Sequence, residues 1–287
     1  MPSAIVTAIA AQKGGTGKTA LTGSLAPIWA YAGARTLMID LDQQANLTFA
    51  FAIDPTTLDA TVVDVLAPRN AIAAEQATIA QPHQVADLDL LPCDERAAEL
   101  DTQLRSETMG VYKLSDALEP LLTRYDRIFI DCPPNLGELT VSALLVADEI
   151  VCPVNMGDRN ALPGLSRITQ TVEKLRRRGA RVEMKTLVRL NCDERERSYI
   201  LNSQALKSLA KRLEVPLART ELRARAAWRT AATQDVPMIL FEDNDRGTRE
   251  AQADVHQLVC ELWPAIDFPY PSEIRAKRNQ RARKAAA

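Results

Sequence analysis

Short apolar runs alternate along the chain with longer stretches in which apolar residues return every three or four positions. The runs Ala4–Ala10, Thr36–Asp40, Leu88–Leu91, Arg127–Asp131, Glu149–Pro153 and Val182–Leu190 have the length and Val/Ile/Leu content of buried strands. Between them, Lys18–Tyr31, Lys113–Arg124, Glu138–Ala147, Leu162–Arg178 and Ser198–Leu213 read as helices. This alternation predicts an α/β fold, a mainly parallel twisted sheet with helices on both faces. Such sheets bind ligands beyond the carboxyl ends of their strands. No linker rich in Gly, Pro or Ser divides the chain, and no internal repeat is visible. One domain is expected over residues 1–270, followed by a basic, flexible tail at 271–287.

The first apolar run leads straight into Gln12-Lys13-Gly14-Gly15-Thr16-Gly17-Lys18-Thr19. Glycines here let the backbone curl so that its N–H groups converge on a phosphate. Lys18 supplies a point charge for the outer phosphates, and Thr19 a hydroxyl for Mg²⁺. Gly14, Gly15, Thr16, Gly17, Lys18, Thr19 and Ala20 are therefore candidate nucleotide contacts. The ordinary loop, G-x-x-x-x-G-K-[ST], has Gly at the position held here by Gln12, and a second lysine, Lys13, precedes the glycine pair. That makes the motif a deviant form.

Three strand ends add polar groups to this loop. Asp40 ends one apolar run and Asp42 follows two residues later, where carboxylates can orient a metal or an attacking water. Asp42 as a simple turn residue is the competing reading. Arg127–Asp131 is an apolar strand ending in an acid, the Walker B pattern, which places Asp131 at the metal. Pro133 and Pro134 halt that strand. Asn191 closes a further run, either as a turn former or as an amide whose paired donor and acceptor meet a purine edge.

Composition narrows the setting. Of 287 residues, 46% are hydrophobic, enough for a substantial core, and the formal net charge of −2 excludes a uniformly basic nucleic-acid binder. Five scattered cysteines without a C-x-x-C pair read as reduced core thiols rather than a metal site. With no leader sequence and no apolar run of membrane-spanning length, a cytoplasmic protein is expected.

The stretches Gln12–Thr19, Asp40–Thr48, Asp131–Thr140 and Ala147–Gly164 resemble the ParA/MinD family of deviant-Walker P-loop ATPases, most closely its ParA (Soj-like) partition proteins. A weaker likeness runs from Arg223 to Phe241. The resemblance implies ATP and Mg²⁺ as cofactors and a homodimer that sandwiches two ATP molecules. It implies that Lys13 reaches the partner's phosphates, as an arginine finger does, while Lys18 serves its own nucleotide. Asp42 matches the position that activates the lytic water, and Thr19, Asp40 and Asp131 lie at the metal. One departure is Gln43-Gln44, where the family has Pro-Gln after the second acid.

Relatives of this kind use the ATP dimer either on nonspecific DNA or, in MinD-like proteins, on a membrane through an amphipathic C-terminal helix. The tail from Glu273 carries Arg275, Lys277, Arg278, Arg281, Arg283 and Lys284, with Ile274 as its only large apolar residue. A disordered arm gripping phosphates fits this better than an interfacial helix. Arg219, Arg223, Arg225 and Arg229, spaced by two and four, are expected to share a helical face and contact DNA. The basic end of the fourth predicted helix (Lys174, Arg176, Arg177, Arg178) also suits a helix carboxyl terminus. The expectation is a nucleoid-associated ATPase that partitions or positions a plasmid, chromosome or protein cargo and is stimulated by a ParB-like or other adaptor. No membrane contact is expected; the alternative is a MinD-like membrane-surface regulator of division or placement. With the first strand starting near residue 4, no DNA-reading domain is expected ahead of the loop.

Overall fold

The computed structural model describes residues 3–158 and 161–285; residues 1, 2, 159, 160, 286 and 287 lie outside this description. Its strands are β1 (Ile5–Ile9), β2 (Thr36–Asp40), β3 (Ile79–Ala80), β4 (Leu88–Leu91), β5 (Arg127–Asp131), β6 (Glu149–Asn155), β7 (Glu183–Cys192) and β8 (Leu217–Arg223). They form one sheet in the order β3-β4-β2-β5-β1-β6-β7-β8. Every pairing is parallel except that of β3 with β4. The helices in chain order are α1 (Lys18–Tyr31), α2 (Asn46–Ala50), α3 (Val62–Leu66), α4 (Ala74–Ala77), α5 (Ala97–Ser106), α6 (Lys113–Leu118), α7 (Glu138–Val146), α8 (Ala161–Arg177), α9 (Arg197–Arg212), α10 (Ala226–Thr233), α11 (Arg246–Leu262) and α12 (Pro271–Ala285).

Alternating side chains of the central strands feed two cores. Ile128 and Ile130 of β5, with Leu37 and Ile39 of β2, point toward α5–α9. Phe129 and Met38 point to the opposite face, covered by α1, α11 and Ile274 of α12. Helix α1 is buried along nearly its whole length, so it shows no one-sided apolar stripe.

Three expectations need correction. The helix predicted over Lys113–Arg124 stops at Leu118, because Pro120 cannot continue it, and resumes only as a 3-10 turn at Leu121–Thr123. The basic residues near 219–229 do not share a helical face. Arg219 and Arg223 lie on strand β8, Arg225 lies in the following loop, and Arg229 lies on α10. The tail expected to be flexible and disordered is the helix α12. Its start is fixed by Pro271 and by Ile274, which is buried against α1 and α11. Lys277 Nζ donates to the carbonyl of Tyr31 at 3.2 Å, and Arg278 binds the Leu240 carbonyl and Glu242. Arg275 Nη1 donates to Asn244 Oδ1 at 2.7 Å.

Candidate nucleotide site

The central strands β1, β2 and β5 deliver the chemistry to one edge. Parallel register sets Ile9 and Asp40 beside Asp131, so the phosphate loop and two carboxylates leave the sheet side by side. The loop turns on Gly15 (φ 69°) and Gly17 (φ 86°), both left-handed. Gly17 is also needed for space, since a Cβ there would lie 2.3 Å from Leu190 Cδ2 of β7.

The two lysines of the loop part company. Lys18 is buried, with Nζ 3.2 Å from the carbonyl of Lys13. Lys13 turns outward, its side chain 43% exposed, and pairs with Asp158. Lys13 lines neither of the two large cavities flanking the loop.

The carboxylates differ in the same way. Thr19 Oγ1 donates to Asp131 Oδ2 at 2.6 Å, while Asp131 Oδ1 is buried with no hydrogen-bond partner. Burial and the neighbouring Asp40 push the Asp131 carboxyl well above its ordinary range. A hydroxyl and an open carboxylate oxygen make a hard donor set of the kind Mg²⁺ takes. Asp40, expected at the metal, has its oxygens engaged elsewhere. Oδ1 accepts from Asp42 N (3.1 Å), and Oδ2 accepts from Thr48 N (3.0 Å) and Thr48 Oγ1 (2.9 Å). Burial pushes Asp40 up to about 6. It organises residues 42–48, and so places Asp42, which lines the second cavity beside Lys18 and Thr19. Asp42 Oδ1 accepts from Gln44 N at 3.0 Å, an Asx turn made without the rigid proline.

The first cavity, about 660 Å³, opens between the loop (Gly15, Gly17, Ala20) and the ends of β7 and β8 (Asn191, Arg223). The second, about 510 Å³, runs from Lys18, Thr19 and Asp42 toward Phe49 and Met238. Trp228 of α10 lines both. Asn191 sits at the first cavity with φ 55°, a left-handed conformation that asparagine tolerates.

Of the remaining basic candidates, Arg219 is 92% exposed, and Arg223 and Arg229 are exposed at the rim of the first cavity. Arg225 is not free for a ligand: it is held by Glu250 at 2.5 Å and Asp254 at 3.3 Å. Sequence reasoning overlooked Asn155, Gly157, Thr48 and Trp228. The polar ends of β2, β5 and β7 were a usable hint that β6 would also run on to a polar residue, Asn155.

The comparisons with known proteins agree with this geometry. Residues 4–186 match the AAA_31 family model, described as an AAA domain. The chain is 30% identical over 243 residues to the sporulation initiation inhibitor protein Soj of Bacillus subtilis, covering 84% of this chain and 93% of Soj. Among solved structures, an ATP complex of a Cyanothece McdA variant superposes with a TM-score of 0.78 at 20% identity, covering 94% of this chain and 99% of that one. The cobyrinic acid a,c-diamide synthase of Mycobacterium smegmatis with bound ADP and magnesium gives a TM-score of 0.71 at 24% identity, covering 93% and 98%. Those two neighbours hold ATP, or ADP with magnesium, and the loop, Thr19 and Asp131 of this chain form a donor set that fits such a group. The chain belongs to the ParA/MinD family of ATPases and within it is most like ParA.

Proposed function

We propose that this protein is a ParA-type ATPase that forms an ATP-dependent homodimer, binds nonspecific DNA on the nucleoid and positions a plasmid, chromosome or protein cargo. The observation that carries the reading is the divergence of the two loop lysines. Lys18 is buried beside its own phosphate cradle, whereas Lys13 faces out of it. A cation presented outward from its own site is placed to serve the phosphates of a second copy, where it neutralises charge as an arginine finger does. When bound, Mg²⁺ supplies neutralisation of phosphate charge. Thr19 and Asp131 hold it, Asp42 orients the attacking water, and Asp40 keeps the Asp42 loop in place.

The surface suits nucleic acid better than a membrane. No helix among the described residues is long and apolar enough to cross a bilayer. The one large apolar residue of α12, Ile274, is already buried, which leaves Arg281 and Arg283 exposed on a polar helix. Arg219, Arg223 and Arg229 add exposed cations near the site. Two copies of weakly basic patches on one dimer raise affinity by avidity, and binding of this kind is steeply salt-dependent. Hydrolysis, raised by an adaptor protein, then releases the dimer.

Light scattering and DNA mobility shifts with ATP, ADP and no nucleotide test the reading. A dimer and a shifted band with ATP alone are expected, both lost in Lys13→Ala. Asp42→Ala is expected to hold the dimer on DNA with hydrolysis reduced at least tenfold. Binding to anionic vesicles without binding to DNA would overturn the choice of surface, and normal hydrolysis by Asp42→Ala would overturn that residue's role.

A further inference from the structure

Beside the first cavity, the ends of β6 and β7 and the phosphate loop meet in one hydrogen-bonded knot. Gly157 N donates to Asn155 Oδ1 at 3.0 Å, and Asn155 Nδ2 donates to the carbonyl of Gly15 at 2.9 Å. A peptide N–H only donates and a carbonyl only accepts, so the backbone leaves the Asn155 amide a single orientation. Asn191 lies against the Asn155 oxygen, with Nδ2 3.2 Å away. Because that oxygen is an acceptor, Asn191 must turn its amide nitrogen toward it. Two amides in series are thus set by main-chain groups.

Gly157 makes the arrangement possible. A Cβ at that position would lie 2.7 Å from Asn191 Nδ2 and 3.4 Å from Asn155 Oδ1. What Asn191 retains for a ligand is its carbonyl oxygen, with one N–H beside it, on a residue that lines the cavity.

We propose that Asn155 is a specificity-determining positioning residue, which fixes the Asn191 amide so that the site selects a 6-amino purine over a 6-oxo purine. Adenine presents a donor (the 6-amino group) next to a ring-nitrogen acceptor, the complement of a carbonyl oxygen next to an N–H. Guanine or hypoxanthine would set its 6-oxo oxygen against the Asn191 oxygen, two acceptors face to face. A free asparagine would rotate and accept either base; a locked one does not. This rests on the reading that the base of the nucleotide occupies the first cavity at Asn191.

ATP and ITP differ at this 6-position, so calorimetric titration of both with Mg²⁺ is the test. The wild-type protein is expected to bind ATP at least about tenfold more tightly than ITP. In Asn155→Ala the ratio falls to within about threefold, because Asn191 is free to turn. In Asn155→Asp, which loses the bond to Gly15 but keeps an oxygen for Asn191 Nδ2, the preference for ATP is retained. Gly157→Ala, which keeps Asn155 but crowds the Asn191 amide, also lowers the ratio. A wild-type ratio in Asn155→Ala overturns the proposal. So does an Asn155→Asp variant as indifferent to the base as Asn155→Ala, because the loss would then come from a loosened loop. Asn191→Ala separates the underlying reading: if it leaves the ATP-to-ITP ratio unchanged, Asn191 does not meet the base, and the reading of the cavity fails with the proposal. If Asn191→Ala lowers the ratio and Asn155→Ala does not, only the proposal fails.

Discussion

The central part of the sheet carries buried charge at both strand ends, Arg127 of β5 and Glu149 of β6 at one and Asp40 of β2 and Asp131 of β5 at the other, and the two ends are built on opposite plans. At the amino end, Arg127 is 2% exposed and pairs with Glu149 at 2.5 Å. Thr7 accepts from Arg127 Nη2 at 2.7 Å, and Glu149 accepts from Trp263 Nε1 at 3.0 Å. The guanidinium lies 4.4 Å from the ring centre of Trp29 and 4.9 Å from that of Trp263. Charge there is matched and caged, with Arg127 Nε buried without a hydrogen-bond partner. At the carboxyl end, Asp40 and Asp131 stand in register, both raised by burial and each also by a neighbouring carboxyl (Asp42 on Asp40, Asp40 on Asp131), and Asp131 keeps an oxygen without a partner. At the amino end the charges find their counter-charges within the chain. The carboxyl end is short of positive charge, so the same part of the sheet holds a matched pair at one end and crowded acids at the other.

The contrast is sharpest under substitution. Arg127→Ala leaves the largely buried Glu149 with only the partly exposed Lys185 as a counter-charge and is expected to cost about 3 kcal/mol, read by urea unfolding. Asp131→Asn should do the reverse. Removing one of two repelling buried carboxyls raises the ligand-free melting temperature by a few degrees, on the order of 1–2 kcal/mol, while Mg²⁺-dependent ATP hydrolysis is lost. A fall in melting temperature with that variant would show that the carboxyl end is balanced in the free protein and would end the comparison. Truncation after Tyr270 removes Ile274 and the contacts of Arg275, Lys277 and Arg278, and is expected to cost about 2–3 kcal/mol. Calorimetry of the truncated chain would detect it. The smallest effect belongs to Arg96, which lowers the carboxyls of both Asp64 and Asp94. Their folded values lie below their unfolded ones, so the added stability is present above the ordinary carboxylate range and is lost as pH falls through the depressed values. Arg96→Ala should narrow the difference in melting temperature between pH 7 and pH 3, and an unchanged difference would dismiss the pair as a source of stability.

Legibility follows the same division. Strands β2, β4 and β5 are read to the residue from the sequence, because each is a dense apolar run buried on both faces. The phosphate loop and the acids at Asp40, Asp42 and Asp131 are equally plain, since their spacing is dictated by local turns. The far side of the sheet is not. Strand β8 is an edge strand whose outward positions include Arg219 and Arg223, so its alternation is masked by charges and reads as helical. Asn155 carries no local signature; its role exists only because parallel pairing sets it beside Leu190, next to Asn191 in the chain. The helix α12 has the composition of a solvated arm, and its seat is secured by backbone carbonyls of Tyr31 and Leu240, which no sequence pattern announces.

Leu190 resting on Gly17 has a practical consequence for anyone who would redesign this molecule. The β7 wall of the first cavity and the glycine-rich coil touch through a glycine with no side chain to trim. A library that enlarges position 190 to admit a bulkier nucleotide analogue pushes on the coil itself, and one that stiffens position 17 pushes on the wall. Analogue-sensitive variants should therefore be sought at Trp228 of α10, away from the contact between Leu190 and Gly17.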